Sequence, residues 1–312
     1  MKRYIGVLFF LLLAIHSFCL HIDINNPELM TQIRKLPEKP FAILITSYNN
    51  EQYAKDNLLS VINQHYSNYR VIFINDCSSD KTLEIVQSTI KECHAEDKVM
   101  VIDNKERKLG LRNYYEGITY YTKDEEIIVC VDGDDFLADE EVLHVLNAVY
   151  SSPDREIWMT YGQFRLCSDN TWGWNREIPP HIVESNAFRH FFPRPTHLRT
   201  FYSWLFKRIR VNDLKYDGHF FEMTWDLAFM FPMLEMSNQR FAFIINGLYL
   251  YNDLNPINDR KVNQGLQSFY TGWIIGMPRY KRLNHSTFSS CEDKACIICN
   301  KAISSEIYEN NN

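Results

Sequence analysis

The run Ile127-Ile128-Val129-Cys130-Val131-Asp132-Gly133-Asp134-Asp135-Phe136-Leu137 decides how the whole chain is read. An apolar segment of buried-strand length ends abruptly in three carboxylates within four positions, with Phe136 and Leu137 directly behind them. Clustered carboxylates repel one another and resist burial unless a cation joins them. A strand end of this kind is either a solvated acidic turn or a place where oxygen ligands hold a divalent metal, which itself carries an anionic ligand. An EF-hand calcium loop is excluded: it needs Gly at the sixth position and Glu at the twelfth, and counting from Asp132 these hold Leu137 and Leu143.

Upstream, the same pattern repeats. Phe41-Ala42-Ile43-Leu44-Ile45 is a continuous apolar run followed by the polar loop Thr46-Ser47-Tyr48-Asn49-Asn50, and Ala54, Leu58, Val61 and Ile62 then fall at helical spacing. Tyr69 to Ile74 gives a second strand, ending at Asn75-Asp76, and Leu83, Val86 and Ile90 mark the next helix. Val99 to Ile102 gives a third, leading through the basic loop Lys105 to Lys108 to a helix carrying Arg112 and Asn113, and the strand ending at Asp132 is the fourth. Alternation of this kind predicts a mostly parallel α/β sheet with helices on both faces, whose ligands bind beyond the carboxyl ends of the strands. Three polar clusters coincide at those ends, which weighs against the solvated turn.

After Asp139, the spacing of Val142, Leu143, Leu146 and Val149 predicts a helix closed by Pro153, and Ile157 to Tyr161 a further strand. Residues 162 to 222 are dense in aromatics and prolines and show little periodicity. Thr224 to Phe231 is helical in composition, Arg240 to Tyr251 reads as two paired strands around Asn246-Gly247, and Gln264 to Ile275 as an amphipathic helix.

The chain has 312 residues, 46% hydrophobic and 23% charged, which is the makeup of a globular protein. A net charge of -6 without a basic, aromatic-interleaved stripe argues against a nucleic-acid partner. Lys2-Arg3 followed by the uncharged run Tyr4 to Ile15 reads as a signal peptide over residues 1–20, cleaved after Cys19, or as a signal anchor giving membrane contact through residues 4–20. Either way the body is expected to be exported or luminal. Residues 21–40, with Pro27, Pro37 and Pro40, read as a stem or linker before a domain spanning 41–280, divided at 161/162, where the clean alternation ends. In the tail, 281–312, Cys291, Cys296 and Cys299 with His285 leave a disulfide, a zinc site or a loose segment open, and Asn284-His285-Ser286 is a glycosylation sequon.

Residues 41 to about 255 resemble a family 2 glycosyltransferase with the GT-A fold. The resemblance rests on Ile45-Thr46-Ser47-Tyr48-Asn49 as the first-strand loop, Ser60-Val61-Ile62-Asn63-Gln64 as the "S-x-x-x-Q" helix signature, Asn75 to Thr82 as the "DDgSxDxT" turn, Gly110-Leu111-Arg112-Asn113 as a shortened "G-x-x-x-RN", and Asp132-Gly133-Asp134-Asp135 as "DxDD". Three departures accompany it. Asn75 replaces the first Asp of the turn, Trp225 stands before Asp226 where the family usually has a Glu-Asp pair, and the Q-x-x-R-W signature of processive synthases is absent.

The resemblance implies an enzyme that moves a single sugar from a nucleotide-diphospho-sugar, a UDP-sugar by expectation, to a glycan, lipid or protein hydroxyl by inverting displacement. It implies Thr46, Tyr48, Asp76, Arg112 and Asp132 as nucleotide-sugar contacts, Asp134 as the ligand of Mn2+ or Mg2+, and Asp226 as general base with Glu222 in reserve. Two rival readings are a binding protein of the same fold without turnover and a sugar-phosphate nucleotidyltransferase. The latter needs a Gly-rich basic loop after the first strand, and Thr46 to Glu51 contains no Gly, Lys or Arg.

Overall fold

Continuous apolar strands need cover on both faces, and the computed structural model, which describes residues 18–256 and 263–284, shows how that cover is supplied. The elements are, in order, β1 (Cys19–Leu20), α1 (Pro27–Ile33), β2 (Phe41–Ser47), α2 (Ala54–Ile62), β3 (Tyr69–Asn75), α3 (Thr82–Glu92), β4 (Val99–Asp103), α4 (Leu109–Tyr121), β5 (Ile127–Asp132), β6 (Phe136–Leu137), α5 (Val142–Tyr150) and β7 (Met159–Leu166). There follow α6 (Pro180–Glu184), β8 (Arg199–Tyr202), α7 (Ser203–Phe206), β9 (Lys215–Tyr216), β10 (His219–Phe220), α8 (Trp225–Ser237), β11 (Phe241–Tyr251) and α9 (Gln264–Gly276). In β2, Phe41, Ile43 and Ile45 join a core formed with α2, α3 and α5, whereas Ala42 and Leu44 join a second core under α4 and α8. The fold is thus the expected α/β sandwich of the GT-A kind, with one sheet between two helical layers.

The main sheet runs β1-β11-β7-β8-β5-β2-β3-β4, with β6 added against β11, and β9 pairs with β10 in a separate hairpin. From β2 the chain steps outward through β3 and β4, then returns to lay β5 on the other side of β2, and these four strands are parallel. The resulting switch point opens a crevice at the ends of β2 and β5, where Thr46 and Asp132 lie side by side. β8 is inserted antiparallel between β5 and β7. Helix α8 is apolar on every side and buries Leu227 through Ser237, as a helix central to a domain must.

Two expectations are corrected. Arg240 to Tyr251 is one strand, not two: Phe241–Ile244 and Tyr249–Tyr251 both pair with β7, with a register shift between them. Asn-Gly makes a hairpin only when its flanks can pair with each other. Here the flanks already have a partner, so the dipeptide forms a bulge, with Gly247 at φ 65° and the Asn246 side chain bonded to the backbone of Ile22.

Residues 21–40 are not a free stem, and the packed body starts before Phe41. Phe18 stacks on Phe241 at 4.6 Å, Cys19 and Leu20 pair with Phe243 and Ile244, and Glu177 accepts from the amides of Phe18 and Cys19. Asn26 caps α1 through the amides of Glu28 and Leu29, Pro27 takes the first helical position, where its missing N–H costs nothing, and Met30 and Ile33 are buried. Proline here starts a helix rather than interrupting one. The rest of the apolar leader and the cysteines of the tail lie outside the described residues, among which no helix is long and apolar enough to cross a membrane.

A chain begun at residue 36 is therefore expected to be less stable than one begun at residue 18, because Phe18, Met30 and Ile33 each contribute about 1.5–3 kcal/mol by burial. Urea unfolding of the two chains measures this, and coincident midpoints would contradict the packing.

Candidate active site

The acidic turn after β5 is built by close approach and by bracing from α2. A Cβ on Gly133 would lie 2.5 Å from Cβ of Ser47, so only glycine lets the turn pass the end of β2. Asn57 donates through Nδ2 to the carbonyls of Asp132 and Asp135 at 2.9 and 2.7 Å. Ser60 Oγ accepts from the Leu137 amide, and Gln64 donates to the Asp139 carbonyl while accepting from the Leu143 amide. The Ser60-to-Gln64 signature is thus a scaffold that holds the acidic turn, not a ligand site.

Asp135 is buried, with Oδ2 accepting from the Tyr249 hydroxyl and Oδ1 from the Asn252 amide, both at 2.7 Å. Burial, reinforced by the charges of Asp134 and Asp132, pushes its pKa well above the usual carboxylate range. Asp134 lines the adjoining cavity and accepts from Asn255 Nδ2 at 2.6 Å. Asp132, Asp135 and His197 each offer a ligand atom, all within 4.8 Å of one another. Asp134 is not in that group. Burial, aided by Arg199, holds His197 well below the ordinary histidine pKa, so the imidazole is neutral, and its Nδ1 is buried without a hydrogen-bond partner. The crowded carboxylates of the turn are oxygen donors of the kind that suits Mg2+ or Mn2+, and the neutral imidazole is a further donor beside them.

The cavity has a volume of about 750 Å³ and its composition follows the sheet order. Over β2 lie Thr46 and Tyr48, with the Arg107 guanidinium 3.7 Å above the Tyr48 ring. In the middle lie Asp132, Asp134, Arg199 and, at the start of α8, Asp226. Toward β7 and β11 lie Trp174, His197 and Tyr251.

Arg199 joins the donor-side and acceptor-side acids. It opens β8 opposite Cys130 of β5, which sets its side chain beside the acidic turn. The side chain is only 2% exposed, with Nη2 3.0 Å from Asp132 Oδ2 and Nη1 3.2 Å from Asp226 Oδ2. Asp226 Oδ1 accepts from the Leu227 amide. Burial raises the Asp226 pKa, and the Arg199 charge opposes that rise. Trp225, in the place of the family's Glu, stacks on Tyr114 of α4 at 5.0 Å, and a Cβ on Gly110 would sit 3.0 Å from its ring. Gly110 is thus the gap that lets α8 seat against α4.

The structure brings Thr46, Tyr48, Asp132, Asp134 and Asp226 to one cavity and leaves two expected residues out of it. Asp76 is 3% exposed and accepts from the amides of Lys108 and Leu109 and from Asn104 Nδ2, anchoring the start of α4. Arg112 pairs with Glu116 at 2.8 Å and lines a second, smaller cavity, which also holds the reserve base Glu222. Arg107, not Arg112, is the arginine that lines the cavity beside Tyr48. Arg199, Arg107 and His197 carried no sequence signal, since the first and last lie in the aromatic stretch without periodicity and Arg107 is one of several cations in a loop.

One cavity at the switch point of the sheet thus carries a braced Asp-Gly-Asp-Asp turn and, opposite it, an acid borne on a helix. Residues 42–214 match the family described as glycosyl transferase family 2, and the chain belongs to that family. It is 29% identical over 126 residues to an uncharacterized glycosyltransferase of Haemophilus influenzae, covering 40% of this chain and 47% of that protein. It is 24% identical over 140 residues to the poly-beta-1,6-N-acetyl-D-glucosamine synthase of Staphylococcus epidermidis, covering 45% of this chain and 32% of that protein. The matches thus span less than half the length of these curated relatives. The crystal structure of S. aureus TarS 1-349 in complex with UDP-GlcNAc superposes with a TM-score of 0.55 at 16% identity, over 76% of this chain and 65% of that one.

Proposed function

We propose that the protein transfers a single sugar from a UDP-sugar to an acceptor hydroxyl by metal-assisted inverting displacement. The observation that carries this reading is that one cavity holds the Asp132–Asp135 turn and, joined to it by Arg199, the isolated acid Asp226. The TarS structure of the same fold was solved with UDP-GlcNAc, a donor of this class.

Tyr48 and Arg107 form a stacked pair against which a nucleobase packs, with Thr46 as a hydrogen-bonding neighbour. Asp132 accepts from the ribose hydroxyls. Asp134, steadied by Asn255 and lining the cavity, is the carboxylate assigned to Mn2+ or Mg2+, whereas Asp135 is buried behind the turn against Tyr249 and Asn252. An ion held there would supply the positive charge that a departing diphosphate needs. Asp226 takes the proton of the attacking hydroxyl on the side opposite the leaving group. Asp76 acts indirectly, by fixing the Lys105–Lys108 loop that presents Arg107.

Calorimetry with UDP and Mn2+ tests the donor side. Asp134→Ala is expected to weaken metal-dependent UDP binding by more than about tenfold, since loss of even a supporting contact costs that much at metal sites. Binding of UDP by the native protein that is indifferent to chelation, or unchanged in the variant, would overturn the assignment.

A further inference from the structure

The cavity has a direction. Its nucleoside end lies over β2, its acids at the end of β5, and its far end at β7 and β11, on the other side of the acids from Tyr48. A nucleotide-sugar laid from Tyr48 to the acidic turn has its diphosphate at the turn, so the far end is left for the group that attacks. That end is aromatic: Trp174, 38% exposed, meets Phe164 and Tyr251 there, although the middle of the cavity is charged.

Trp174 is held as a rigid surface, not a loose side chain. Gly173 lies so close over the Phe164 ring that a Cβ would be 2.4 Å from it, and its amide donates to the Phe164 carbonyl at 2.8 Å. Gln163 Nε2 donates to the carbonyls of Gly173 and Asn175, and the buried Asn175 donates to those of Gly162 and His197 at 2.6 and 3.2 Å. The indole then meets Phe164 at 4.8 Å and Tyr251 at 6.1 Å, both nearly perpendicular. Those bonds fix the backbone on both sides of residue 174 and the two ring contacts orient the indole before any ligand arrives, which removes much of the ordering cost of binding.

Resting on the reading of this cavity as a sugar-transfer site, we propose that Trp174 is a stacking platform for a sugar ring of the acceptor, so that the acceptor is a saccharide rather than an aliphatic alcohol or a protein hydroxyl. A pyranose presents a flat array of C–H bonds on one face and hydroxyls at its rim. An exposed indole matches that face, and Thr196, next to His197 in the lining of the same cavity, suits the rim. A serine side chain or an alkyl alcohol offers no such face, and the acids between Trp174 and Tyr48 place this ring beyond the diphosphate.

The test titrates the full chain, saturated with UDP and Mn2+, with chitobiose, cellobiose, lactose and maltose, following calorimetry and tryptophan emission, and separately compares UDP-GlcNAc with UDP. At least one disaccharide is expected to bind and to perturb emission, with affinity falling about tenfold in Trp174→Ala and less in Trp174→Phe, while UDP affinity stays at the native level. No binding by any of the four, or equal binding by the alanine variant, would overturn the platform. A loss confined to the added affinity of UDP-GlcNAc over UDP would give the ring to the donor and overturn the acceptor assignment. Native protein that fails to bind UDP would instead defeat the transferase reading itself, so the two failures are distinct.

Discussion

Asp226→Asn is expected to lower sugar transfer by about 10²–10⁴-fold, the usual worth of a positioned proton acceptor, while UDP affinity stays near that of the native protein and the unfolding midpoint falls, because the pair with Arg199 is broken from one side. The acceptor hydroxyl is a poor nucleophile near neutral pH, so its proton must leave as it attacks. Asp132 is held by Arg199, Asp135 by Tyr249 and Asn252, and Asp134 faces Asn255, all at the β5 end. Asp226 is the acid that enters the cavity from α8, and Glu222 is exposed and lines the smaller cavity instead. Asparagine keeps the shape, but its one acceptor oxygen cannot serve both the Leu227 amide and Arg199, so some stability is lost together with the charge. Because burial raises the pKa of Asp226, the acidic limb of kcat/KM is expected above the ordinary aspartate range, with activity falling as pH drops through it. Product anomeric configuration by NMR, opposite to that of the donor, completes the prediction. Transfer at native rates by the variant, or retained configuration, would exclude the role.

How much of this could be read in the sequence depends on whether the signal is local. The β2-to-β5 alternation, the acidic strand end and Asp226 as a lone acid in an apolar run are local patterns, and each lies where it was expected. Asp76 and Arg112 were correctly set at a strand end and on a helix, but which way they face depends on how the Lys105–Lys108 loop folds back, and that loop has no periodicity to read. The linker reading failed because Pro27 looks alike before a helix and in a coil, and only the burial of Met30 and Ile33 decides. Asn246-Gly247 failed for a related reason: the turn chemistry is right, but β7 outcompetes the hairpin for both flanks. Arg199 was illegible because its role depends on β8 lying between β5 and β7, a pairing between segments far apart in the chain.

Removing the Arg199 charge should bring the second large effect, on stability and on catalysis together. The guanidinium is 2% exposed and bonds Asp132 and Asp226 at once, so Arg199→Met strands two carboxylates that had shared one cation. Breaking a buried ion pair from one side typically costs about 3–5 kcal/mol, which is a large part of the stability of a domain. Arg199→Lys keeps a charge but not the planar fork, so one ammonium cannot span both acids, and this variant is expected to fold while losing much of its turnover. The pH dependence separates a charge effect from lost packing. Arg199 opposes the rise of the Asp226 pKa, so without it that pKa climbs further above its unfolded value. A carboxyl group whose folded pKa is raised binds protons more tightly in the folded state, so stability falls as pH rises through the interval between the two values. The deficit of Arg199→Met relative to the native protein should therefore shrink as pH is lowered from neutral toward that interval, and the acidic limb of kcat/KM for Arg199→Lys should not lie below the native one. Urea unfolding at two pH values measures the first, and a deficit independent of pH would mean that Arg199 acts by packing and not by its charge.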